Sequence, residues 1–200
     1  CSSDLKITPL SQVSLEDMCY VEGGHLLREH PQKKIYVKAF YMDKTEVTNQ
    51  KYQVFISTTG NPAPLHWPKE KYPQGKENYP VTNINWYQAS LYALWQGKKL
   101  PSESEWEKAT YKEKRNLWPW GNFFAKKYAN VKNKELKKVA QFPKGRSPYG
   151  IMDMAGNVWE WCDEWYDDEI KEEKLIKGGG YNSSPEESTT LYRDGFLPSF

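Results

Sequence analysis

Residues 15 to 43 carry short apolar runs that suit strands. Cys19-Tyr20-Val21 runs into a turn at Gly23-Gly24, and Ile35-Tyr36-Val37 and Ala39-Phe40-Tyr41 follow, rich in β-branched and aromatic side chains. The period then becomes helical. Tyr52, Phe55 and Ile56 stand at i, i+3 and i+4 behind Thr48, a residue type that caps helix N-termini. Pro62, Pro64, Pro68, Pro73 and Pro80 enforce irregular loop between 60 and 80. A second helix is predicted from Asn85, with Trp86, Ala89, Ala93 and Leu94 on one face and Gly97 at its end. After Pro101, Ser102 and Glu105 have capping-box spacing ahead of a short helix carrying Trp106 and Ala109. Beyond Arg115 only short strands are predicted, among them Leu175-Ile176 leading into Gly178-Gly179-Gly180-Tyr181. The sum is an α+β chain with two or three short helices, short antiparallel strands and much irregular structure.

Composition supports that picture. The 200 residues suit one domain; 38% are hydrophobic, but nine Trp and fourteen Tyr are present, so the core is ring-built. Thirteen Gly and thirteen Pro imply many turns. A net charge of +2, from 28 basic and 26 acidic residues, gives no reason to propose nucleic acid as a partner. The basic stretch from Lys132 to Lys138 reads as a solvated loop. No apolar run approaches the roughly 20 residues of a membrane-spanning helix.

The chain begins Cys1-Ser2-Ser3-Asp4. Cys1 is therefore a candidate lipidation site, with residues 1–14 as a tether, residues 15–200 as the domain, and a lipid anchor in a bacterial cell envelope as the expected location. Cys19 and Cys162 then read either as one disulfide or as two small buried thiols.

Four ordered segments carry more information. They are Thr45-Glu46-Val47-Thr48-Asn49 with Tyr52 and Phe55; Pro80-Val81 through Trp86, Ala89 and Trp95 to Gly97-Lys98-Lys99-Leu100-Pro101-Ser102-Glu103-Ser104-Glu105-Trp106-Glu107; Trp118-Pro119-Trp120-Gly121-Asn122; and Tyr149-Gly150-Ile151-Met152-Asp153-Met154-Ala155-Gly156-Asn157-Val158-Trp159-Glu160-Trp161, with Asp163 and Tyr166. Together they resemble the formylglycine-generating-enzyme family, also called the sulfatase-modifying-factor domain. The resemblance implies a variant of the C-type lectin fold, poor in regular elements and held by rings.

The resemblance also sets expectations for chemistry. The oxidase branch holds Cu(I) between two cysteines just beyond a Gly-Gly-Ser-Tyr/Trp motif. Here Gly178-Gly179-Gly180-Tyr181 is followed by Asn182-Ser183-Ser184-Pro185, and no Cys follows Cys162. Serine hydroxyls are hard donors that stay protonated near neutrality and do not replace soft thiolates. A second branch uses non-haem iron with histidines from a further helical domain, whereas this sequence has only His25, His30 and His66, without metal-ligand spacing. The resemblance implies a calcium site built from the Asp153 and Glu160 carboxylates and the Gly156 and Val158 carbonyls, a set of hard oxygens; the competing reading is that both carboxylates hydrogen-bond buried backbone. A second calcium site beginning at Asn130-Val131 would lack its later acids. Trp86, Trp106, Trp120, Trp159 and Trp161 read as core staples rather than a sugar-stacking surface.

A binding or scaffold role is the reading that remains, with an unidentified protein or glycan as ligand. The candidate surface is Asn182, Ser183, Ser184, Tyr192, Arg193, Asp194 and Phe196, polar residues mixed with rings. Two alternatives stand beside it: a variable ligand-binding protein of a diversity-generating retroelement, and an oxidase with an atypical metal centre. Pro198 stands where a loop before the family's final strand is expected, so the chain is expected to lack that strand or replace it, leaving the neighbouring strand's edge open.

Overall fold

The computed structural model describes residues 14–29, 32–112 and 115–200. Cys1 and His30 lie outside them, as does nearly all of the proposed tether. Strands β1 (Met18–Val21), β2 (Gly24–Glu29), β3 (Gln32–Val37) and β4 (Phe40–Asp43) form antiparallel pairs, β2 with β3 and β1 with β4. Val21 faces Phe40 and Gly24 faces Val37, so both ladders keep one register and make a single hairpin opened at residues 22–23. Gly23 suits this close approach: a Cβ would stand 3.1 Å from Ala39 N and from Tyr36 Oη, tighter than most such contacts. The interruption shifts the alternation by one residue. Val21 and Leu26 are both buried, while Tyr20 and Leu27 are both exposed.

Helix α1 (Asn49–Thr59) starts where the sequence places it. Lys51 N donates to Thr48 Oγ1, and left-handed Gly60 closes the last turn onto Ile56 O. Its buried Tyr52, Phe55 and Ile56 meet α2 (Trp86–Trp95) through Tyr92, which stacks on Tyr52 at 5.7 Å and meets Phe55 edge-on at 5.5 Å. The buried face of α2 is Ala89, Tyr92 and Ala93; Leu94 is exposed, which corrects the predicted stripe. Tyr92 lies three residues after Ala89 and Leu94 five, so helical rotation turns Leu94 away. Asn85 and Gln88 cap α2 reciprocally, a box the sequence reading missed.

Helix α3 (Glu103–Thr110) carries the predicted Ser102–Glu105 capping box. Its Trp106 and Ala109 are fully buried with Val21, Ile151, Met154, Cys162 and Leu175, forming the central core between hairpin and sheet. That sheet has the order β5 (Glu160–Trp165), β6 (Lys174–Lys177), β7 (Asp194–Phe196), all antiparallel. Strand β7 pairs with β6 from Asp194 to Phe196 and covers that edge of β6. Cys19 and Cys162 are free thiols on the central cluster rather than a disulfide.

A buried ionic network ties α3 to this sheet. Lys177 Nζ, fully buried, lies 3.3 Å from Glu107 and 3.8 Å from Glu103, and Arg193 Nε donates to Glu103 at 2.6 Å. No helix of the described residues is long and apolar enough to cross a membrane.

Candidate functional site

The segment after β6 turns on Gly178 and Gly179, both left-handed; a Cβ on Gly179 would sit 3.1 Å from Glu187 O. The turn is locked by Gly180 N donating to Ser183 Oγ and by Tyr181 N donating to Asn157 O. Ser183 is buried, and its carbonyl accepts from Lys132 N. Ser184 and Glu187 exchange side-chain and backbone hydrogen bonds, as in a helix capping box. Arg193 is held by Glu103 and by the Tyr166 carbonyl. These three predicted ligand contacts therefore serve the fold. Asn182 and Phe196 are exposed, and Asp194 and Tyr192 are half-buried. Phe196 lies 6.2 Å from Trp161, and Tyr192 6.0 Å from Trp159.

Beneath this segment lies a group of carboxylates. Asp153 and Glu160, the predicted calcium ligands, are joined by Glu46, which the sequence reading quoted in a motif without a role. Left-handed backbone at Asp153, Gly156 and Asn157 folds the loop back on itself. A Cβ on Gly156 would lie 2.4 Å from Asn130 O, so the predicted ligand loop packs directly against the Asn130 segment. Asn157 is the hub: its Nδ2 donates to Glu46 Oε1 at 2.9 Å, and its Oδ1 accepts from Asn130 Nδ2 and Lys137 N. Asp153 accepts from Ala140 N at 2.6 Å, and Glu160 from Trp106 Nε1 at 2.5 Å.

Burial pushes the Glu46 carboxyl well above its ordinary range, and the charges of Asp153 and Glu160 push it further. Burial also raises Asp153, and lifts Glu160 to about 7 despite the Trp106 hydrogen bond. The Glu46 and Asp153 side chains hydrogen-bond to each other, which raises Glu46 and lowers Asp153, and no basic side chain is among the largest influences on the three carboxyls. Uncompensated buried carboxylates take up either protons or a cation. Oxygen is the donor type that calcium takes. Among the described residues no three His, Cys, Asp or Glu side chains form a closed metal group, so such an ion would need the Gly156 and Val158 carbonyls beside its two carboxylates.

A cavity of about 1180 Å³ is lined by residues of the Asn182–Phe196 surface and by two of these acids, Glu46 and Glu160, but not by Asp153. Its walls include Phe40, Tyr92, Trp159, Trp161 and Phe196; Glu46 and Glu160 lie on its floor, and Asn182 and Asp194 line it as well. Trp159 and Trp161 are thus half-exposed wall residues, whereas Trp106 is the core staple the sequence predicted. Its lysines are committed, Lys98 to Asp43 at 2.6 Å and Lys99 to Glu105 at 2.7 Å. Burial lowers the pKa of His66, leaving the imidazole neutral near pH 7.

Comparison with known proteins adds a lineage to this geometry. The model of the sulfatase-modifying factor enzyme 1-like domain matches residues 5–200. The chain is similar to the serine/threonine-protein kinase Pkn1 of Chlamydia trachomatis serovar L2, 32% identical over 216 aligned positions that cover 96% of this chain and 34% of that protein. It is 28% identical to the formylglycine-generating enzyme of Mus musculus over 196 positions, covering 69% of this chain and 52% of the enzyme. The solved structure of Treponema denticola variable protein 1 superposes with a TM-score of 0.69 at 20% identity, covering 90% of this chain and 89% of that one. The chain spans about a third of the length of the chlamydial relatives it matches.

Proposed function

Because this chain belongs to the sulfatase-modifying factor enzyme 1-like domain family, we propose that it is a calcium-stapled, non-catalytic binding domain whose ligand enters the aromatic-walled cavity. The observation that carries this reading is the segment after Tyr181. Where the resemblance leads one to expect a pair of copper-binding cysteines, Asn182, Ser183 and Ser184 stand, and both serines are spent on internal hydrogen bonds. The two thiols of the described residues are poor substitutes. Burial raises Cys162 well above the ordinary thiol range and also raises Cys19, so both stay protonated near neutrality. Asp153 and Glu160, with the Gly156 and Val158 carbonyls, would hold the calcium, which would neutralise the buried acids and fix the loop that underlies the cavity.

Two measurements test the proposal. Elemental analysis of dialysed protein is expected to find about one calcium per chain, with no stoichiometric copper or iron. A cysteine-containing sulfatase-type peptide, incubated with the protein, copper, a thiol reductant and oxygen, is expected to keep its cysteine by mass spectrometry. Conversion to formylglycine would overturn the non-catalytic reading and favour an atypical centre. A second reading, a diversified ligand-binding protein, is favoured by the exposure of Asn182 and Phe196 on the cavity rim. Sibling chains from one strain that differ mainly at such rim positions would support it.

A further inference from the structure

We infer that the cavity takes an organic cation, an ammonium or guanidinium carried on an apolar body. This rests on the cavity being the ligand site and goes on to name the ligand's charge.

Charge matching is the first argument. Lys98 and Lys99 reach the cavity already bound to carboxylates, and His66 is neutral. Asp194 also lines it, and among the described residues it forms no ion pair. Asp194 Oδ1 accepts from the adjacent Gly195 N. Calcium on Asp153 and Glu160 would leave Asp194 unmatched. An anionic ligand would meet carboxylates without a free basic donor. A neutral one would strip water from the acids and return nothing to them.

The walls supply the second argument. Trp159, Trp161 and Phe196 line the cavity, and aromatic rings attract cations through the negative quadrupole of their faces while their area suits an apolar body. The chain uses this chemistry on its own Lys174. That ammonium lies 4.1 Å from the ring centroids of both Trp86 and Trp165 and donates to Asp163 O at 2.7 Å. The cavity likewise brings rings and a carboxylate, Asp194, into one lining.

The test uses three probes with one body and different heads: 4-phenylbutylamine, 4-phenylbutanol and 4-phenylbutyrate. Each is titrated calorimetrically into calcium-loaded protein near pH 7. The amine is expected to bind at least about tenfold tighter than the alcohol, with the butyrate weakest. Asp194→Asn, checked for native circular dichroism, should narrow the amine–alcohol gap by about threefold or more, and Phe196→Ala should weaken all probes that bind. Equal binding of amine and alcohol, or tighter binding of butyrate, would overturn the cation inference and leave the binding reading intact. Failure of all three to bind would overturn both.

Discussion

At the scale of single residues, the buried charges decide most. Lys177 is wholly enclosed and lies between Glu103 and Glu107, with its Nζ 5.3 Å from the centre of the Trp106 ring. Removing one partner of a buried pair strands the other charge in a poorly polarisable site, whereas replacing both is tolerated better. Lys177→Met is therefore expected to destabilise the domain by about 3–5 kcal/mol in urea unfolding, and Lys177→Met with Glu107→Gln to recover part of that loss. A loss below about 1 kcal/mol would show that the network does not hold α3 to the sheet. Individual residues also show the limit of reading chemistry from type. Arg193 looks like a recognition residue in the sequence, yet its guanidinium closes the same buried network. Glu46 looks like a motif residue without a task, yet it joins the acidic floor.

Among the elements, α3 shows how local signals act through electrostatics. Burial alone would raise the Glu105 carboxyl, but Lys99 and the Ser102 N–H hold it below its ordinary value of 4.5. A depressed carboxyl adds stability above its unfolded pKa and loses it as the pH falls through the folded one. Glu105→Gln keeps a side-chain acceptor for the capping box but no charge. It is expected to cost about 0.5–1 kcal/mol at pH 7, with the gap closing as acid is added below pH 4.5. Thermal melts of both proteins across that range would check the sign; a gap that widens in acid would refute it. The hairpin β1–β4 and the strand β7 mark where element-level reading weakens. The alternation slips at residues 22–23, and β7 forms only because Asp194–Phe196 finds β6 across a long irregular segment.

For the whole molecule, the acidic floor joins the loop around Gly156, the motif before α1 and the first residue of β5, so one ion there would tie distant parts of the chain. Calcium at about 100 times its dissociation constant is expected to stabilise the domain by about 2.7 kcal/mol, or roughly 5–10 °C in melting temperature for a chain of this size. The rise should vanish on chelation and be largely lost in Asp153→Asn and Glu160→Gln. A melting temperature indifferent to calcium in the unsubstituted protein would remove the staple and leave the three carboxyls to hold protons instead.

The sequence by itself determined the local elements and the lineage. Thr48, Ser102 and Glu105 cap helices through contacts within a few residues, and Tyr52, Phe55, Trp106 and Ala109 lie on faces set by helical rotation. Four ordered motifs resembled the family that the full-length match then showed. Only the tertiary structure decided what those residues surround. Glu46 and Asn157 are 111 positions apart yet share a 2.9 Å hydrogen bond, and Glu103 and Arg193 are 90 apart yet form an ion pair. The cavity likewise gathers Phe40, Trp161 and Phe196 from opposite ends of the chain. Contacts at such separations follow from packing and not from periodicity, so the caps of α1 and α3 and the burial of Tyr52, Phe55, Trp106 and Ala109 were legible in the sequence, while the cap of α2, the acidic group and the aromatic cavity lining were not.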